Sequence, residues 1–132
     1  MTCFKIAGLA LALSFSSLAN ANTYQFVGTD NTPETKFCVS VGNNDIGQMK
    51  SKLLMMGKGL SDVRRNINTI NCNDLSAAKF AFKYQAHDTF KYLNERSMGK
   101  NRVRPTVTIR DIAKVDKATD TPIVVYVSNR LK

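Results

Sequence analysis

The chain has one histidine, His87, no tryptophan and three prolines among its 132 residues. With a single histidine, any Ser-His-Asp or Cys-His catalytic arrangement must be built on His87. There is no His-x-x-x-His pair, no cysteine cluster with metal-ligand spacing and no glycine loop that cradles phosphate. No metal and no cofactor is therefore expected, and no catalytic residue is assigned. His87 and Asp88 are neighbours on a predicted helix, so their side chains diverge by about 100° and make no dyad. Asp111, Asp116 and Asp120 are the closest grouping among the ten acids, which otherwise fall singly. Long apolar runs are also missing. The longest, Ile6 to Leu18, is shorter than the roughly 20 residues that span a bilayer.

That run has a different reading. Lys5 precedes it and Ala19-Asn20-Ala21 follows, which is the charged start, apolar middle and small-x-small site of a secretory signal peptide. Residues 1–21 are expected to leave on export, giving a periplasmic or secreted chain that begins at Asn22. Cys3 would leave with them. The remaining 111 residues suffice for one domain, 22–132, with a modest core. Without Lys5, 18 basic residues stand against 10 acids, a net charge of +8. Such a balance favours anionic partners, although it also serves solubility alone. Two cysteines remain, Cys38 and Cys72, and an even count in an oxidising compartment predicts one disulfide. Cys-x-x-Cys spacing is absent, so the expected role of the bond is structural.

Local signals outline an α+β domain with two to three helices. Tyr24 to Gly28 alternates like a strand, with Tyr24 and Phe26 on one side. Thr32 as N-cap, Pro33 at the first helical position and Glu34 in the first turn start a helix that Gly42 is expected to stop. Phe37, Val41 and Cys38 form its inward side. A second helix is predicted from Asn44 or Asp45 to about Met56, with Ile46, Met49, Leu53 and Met56 at helical spacing. The methionines Met49, Met55 and Met56 read as core, with an adaptable apolar surface as the alternative. Ser61 to Asn71 is ambiguous, since Val63, Ile67 and Ile70 fit a helix while Val63, Ile67 and Thr69 fit a strand, and the expectation is a helical turn running into a strand that delivers Cys72.

Asp74 is the candidate cap of the longest helix, to about Asn94, whose core stripe would be Leu75, Ala78, Phe82, Ala86, Phe90 and Leu93. Ala77, Phe80 and Tyr84 lie nearly opposite. Either another layer of the fold covers them, which is the expectation, or they form an exposed aromatic patch. Arg96 to Arg104 carries four basic residues in nine and no acid, ends at Pro105, and reads as an exposed linker or loop over about 96–105. Strands at 106–112 and 122–128 would then close a C-terminal antiparallel pair against the long helix.

Pro33-Glu34-Thr35 followed by Phe37-Cys38-Val39, then Cys72-Asn73 with Leu75 and Phe80-Ala81, resembles a family of short exported bacterial proteins known only as a domain of unknown function. The resemblance spans about residues 24–93. It implies export, a small folded domain and a Cys38–Cys72 bond, and no activity. Taken together, these features point to a non-catalytic accessory protein that binds an anionic envelope component or an acidic protein. Arg96, Lys100, Arg102 and Arg104 would supply the attraction, with Phe80 and Tyr84 as contacts if exposed. Nucleic acid is disfavoured by export and by the lack of any recognisable motif. The alternatives are a small hydrolase, built on His87 or on converging carboxylates, and a structural or inhibitory partner of another exported protein.

Overall fold

The computed structural model describes residues 23–57, 59–104 and 121–131. The segment 1–21 expected to be a signal peptide, the strand expected at 106–112 and the link expected after it lie outside the described residues.

Strand β1 is Tyr24–Gly28, with Phe26 buried and Gln25 and Val27 exposed. Helix α1, Pro33–Gly42, starts as the sequence implies: the Thr32 side chain accepts from the Thr35 N–H, and Phe37, Cys38 and Val41 are fully buried. Its end differs. Gly42 is its last residue, and the chain turns two residues later at Asn44, whose φ of 56° is left-handed. The Asn44 N–H donates to the Val41 carbonyl and the Asp45 N–H to that of Ser40, a Schellman closure. Gly42 is small for another reason, because a β-carbon there would lie 2.6 Å from the Phe26 ring. Asp45 caps α2, Ile46–Met55.

Helix α3, Leu60–Thr69, occupies most of the ambiguous stretch and runs directly into β2, Ile70–Cys72. A two-residue turn at Asn73 and Asp74, φ 47° and 64°, returns the chain into β3, Leu75–Ser76. Both turn residues need positive φ, which Asn and Asp tolerate better than most. Asp74 is thus a turn residue, and Ser76 is the cap that accepts from the Lys79 N–H.

The single long helix is in fact two, α4 at Ala77–Lys83 and α5 at His87–Arg96, which brings the α-helices among the described residues to five. Gln85 takes φ 57° and a second Schellman pair closes α4, Gln85 N–H to Phe82 and Ala86 N–H to Ala81. The break rephases the buried faces. Ala77, Ala78, Phe80 and Ala81 are fully buried, while Phe82 and Phe90 are only half-buried and face each other with centroids 5.3 Å apart. The stripe expected on the second side of the helix is therefore core, and β1 is the layer that covers it. Phe26, Tyr24, Phe80 and Tyr84 form one aromatic cluster with centroid separations of 4.8 to 6.1 Å.

The C-terminal strand also finds an unexpected neighbour. β4, Ile123–Val127, pairs in parallel with β1, Tyr24 opposite Ile123 and Gly28 opposite Val127. β5, Asn129–Leu131, then lies antiparallel to β2, giving a second sheet of order β3-β2-β5. Cys38 on α1 and Cys72 on β2, both fully buried, are bonded with Cα atoms 5.5 Å apart. Among the described residues no helix is long and apolar enough to cross a membrane.

Candidate functional site

Residues 97–104 are not a loose linker. Ser97 donates its hydroxyl to the Leu93 carbonyl at 2.8 Å, and Asn94 accepts from the Val103 N–H at 2.8 Å while its amide donates to the Val103 carbonyl. Asn68 of α3 holds the segment from the other side. Its Oδ1 accepts from the Met98 N–H at 2.8 Å, and its Nδ2 donates to the Arg96 carbonyl at 3.0 Å. Asn101 donates back to the Asn68 carbonyl, and the Ser76 hydroxyl donates to the Asn101 carbonyl at 2.7 Å. A one-turn 3-10 helix at Gly99–Asn101 shapes the middle, entered at Gly99 with φ 54°.

This anchoring sorts the side chains. Asn101 and Val103 are buried, whereas Lys100, Arg102 and Arg104 are exposed, so the alternation puts three cations on the outer side. They meet α4 there. Lys79, Phe82, Gly99, Lys100, Arg102, Val103 and Arg104 line an open groove of about 400 Å³. No acid lines it. None of the four cations has an ion-pair partner among the described residues, where the pairs are Arg65–Asp62, Arg96–Glu95 and Arg130–Asp74. Phe82 supplies the apolar wall.

The expected contacts divide accordingly. Lys100, Arg102 and Arg104 come together as one surface. Arg96 does not join them: its guanidinium stacks 3.7 Å from the centre of the Tyr92 ring, donates to the Tyr92 carbonyl and lies 3.6 Å from Glu95. Phe80 is fully buried against β1 and is unavailable to a partner. Tyr84 is half-buried at the rim of the same aromatic cluster, where desolvation and then the neighbouring Tyr24 raise its pKa above the usual 10.0. Lys79 and Phe82 were missed. Phe82 sits two residues from Phe80 and so on roughly the opposite face of α4. Its helical spacing mimicked a core residue, and nothing local in the sequence links Lys79 to a loop 20 residues away.

A second cleft of about 320 Å³ includes Asp30, Lys36, Lys52 and Ser40. The Thr32 hydroxyl and N–H donate to the Asp30 carboxylate, and these bonds lower its pKa below 3.8. His87 is exposed at the start of α5 and lines neither cleft. No group of three or more His, Cys, Asp or Glu is placed to hold a metal among the described residues. Comparison of the chain with protein-family models, curated proteins and solved structures finds no match.

Proposed function

We propose that the protein is a non-catalytic binding protein of the cell envelope, exported by the segment 1–21, that captures an anionic component in the groove between α4 and residues 99–104. The observation that carries this reading is the gathering of Lys79, Lys100, Arg102 and Arg104 around Phe82 without a carboxylate among the described residues to neutralise them. Because the backbone that carries these cations is already anchored, only their side chains need be ordered when an anion arrives, and charge-assisted hydrogen bonds to phosphate or carboxylate are the strong ones. Arg102 and Arg104 suit bidentate recognition of such groups, and Phe82 accommodates an apolar portion beside them. The buried Cys38–Cys72 bond supports the oxidising compartment. The resemblance to short exported proteins points the same way.

The test is binding to lipopolysaccharide, polyphosphate and envelope extracts at two salt concentrations. Substituting glutamine for all four cations should weaken binding at least roughly tenfold and flatten its salt dependence. Unchanged binding and unchanged salt dependence would remove the proposal. An acidic protein surface could use the same charge, and would show itself as a stoichiometric complex from periplasm that the same four substitutions disrupt.

A further inference from the structure

Among the described residues, three of the four most exposed large apolar side chains flank the turn between α2 and α3, and none of the three lines the groove. Leu54 and Met55 at the end of α2 and Leu60 at the start of α3 are 64%, 73% and 89% exposed. The two helices close tightly at Gly57, where a β-carbon would collide with Asp62, and then open outward: a β-carbon at Gly59 would meet nothing within 4 Å. Leu54, Met55 and Leu60 therefore face solvent on either side of this turn, the corner between α2 and α3. Residues 50–65 contain five basic residues and one acid. Arg64 and Arg65 are exposed on α3, with Arg65 only 3.6 Å from Asp62 in a solvent-facing pair that binds weakly.

We propose that this corner docks on an anionic phospholipid bilayer, with Leu54, Met55 and Leu60 entering the headgroup–acyl boundary and Arg64 and Arg65 meeting the lipid phosphates. Charge complementarity selects the occupant, because apolar side chains flanked by cations match an interface that is apolar inside and anionic outside. Shape selects it again. Protein interfaces centre on aromatic or arginine anchors fitted into pockets. This corner is exposed, residues 50–65 include no aromatic residue, and a fluid bilayer needs no matching pocket. The corner shares no residue with the groove, so the two sites can succeed or fail separately.

The test uses the protein as isolated from the producing cell, mixed with vesicles of phosphatidylcholine alone or with added phosphatidylglycerol. Replacing Leu54, Met55 and Leu60 with serine should lower partitioning onto the anionic vesicles at least roughly tenfold while the fold is retained by circular dichroism. Arg64→Gln with Arg65→Gln should cost roughly fivefold per charge and remove much of the preference for the anionic lipid. Since the chain has no tryptophan, Leu60→Trp provides a single fluorophore whose emission should shift to the blue on vesicle binding. The same residue placed at Tyr126, which is 68% exposed on β4, should not shift. Full partitioning by the serine variant, or an unshifted Leu60→Trp spectrum on bound protein, would overturn the proposal. So would a serine variant that changes only the sedimentation mass, which would assign the corner to a second copy. Loss of vesicle binding on neutralising the groove, with the corner variants unaffected, would overturn this proposal and leave the groove reading intact.

Discussion

Asn44 caps a helix to which it does not belong. Its Oδ1 accepts the backbone N–H groups of Asp88 at 2.8 Å and Thr89 at 3.1 Å, and its Nδ2 donates to the Asp88 carboxylate at 3.0 Å. The residue that cap position would assign to α5 is Ala86, which has no side-chain acceptor. The left-handed backbone that ends α1 thus aims the Asn44 amide at the start of α5, and Thr89 completes the join by donating its hydroxyl to the Val41 carbonyl at 2.9 Å. Asn44→Gly keeps the permitted φ and loses the cap, and should destabilise by about 1 kcal/mol. Asn44→Ala loses both and should cost about 1 kcal/mol more. Urea unfolding of the two variants measures the difference, and equal losses would mean that backbone conformation contributes nothing.

Asn68 connects α3 to the groove. Removing its amide in Asn68→Ala strips acceptors and donors from Met98, Arg96 and Asn101 at once, with an expected cost of about 1–3 kcal/mol. Hydrogen exchange at residues 98–103 should accelerate, and affinity for polyanions should fall although every cation remains. Unchanged affinity beside accelerated exchange would show that charge alone, without the anchored loop, does the binding.

The disulfide joins residues 34 apart in sequence. In the chain-entropy model such a loop is worth about 3–4 kcal/mol, a large share of what a small domain has. Both sulfurs are fully buried, so reductant should act slowly under native conditions and quickly once urea opens the chain. Thiol titration against urea concentration checks this, and rapid reduction without urea would contradict the burial.

Tyr84 makes stability sensitive to alkali. Its pKa is raised in the folded state, so its contribution is complete below the unfolded value near 10.0 and is lost as pH rises through the higher folded value. Asp30 works in the opposite direction at the acid end. Its pKa is depressed, so its contribution is present above about 3.8 and is lost as pH falls further. Thermal melts of Tyr84→Phe and Asp30→Asn across pH should show the flattening at one end each, with Tyr84→Phe losing less stability than the parent above pH 10.0.

Gly42→Ala tests the closeness of α1 to β1. An added methyl would sit 2.6 Å from the Phe26 ring and force it aside, for an expected loss of about 1–3 kcal/mol. A neutral result would mean that the aromatic cluster can shift without penalty.

What the sequence determined by itself was whatever depends on bonds a few residues long. β1 at Tyr24–Gly28, the Thr32 cap with Pro33 behind it, the buried Phe37-Cys38-Val41 side and the Asp45 cap all follow from side chains meeting backbone groups within four positions. The charge of residues 96–104 was equally plain. Tertiary structure decided the rest. Gln85 breaks the long helix even though it is neither glycine nor proline; residues with good local propensity ran through the break unmarked, and the turn lets Phe80 face β1 while Phe82 faces the groove. The parallel pairing of β1 with β4 joins residues 99 apart, as Tyr24 and Ile123 show, and no local pattern specifies a partner that far away. In the sequence Asn44 is a candidate helix start, Asn94 a helix end and Asn68 one residue of the stretch 61–71. Only in the fold do their amides, and that of Asn73, find backbone groups of segments that lie beside them, because those partners are set by packing and not by neighbours in the chain.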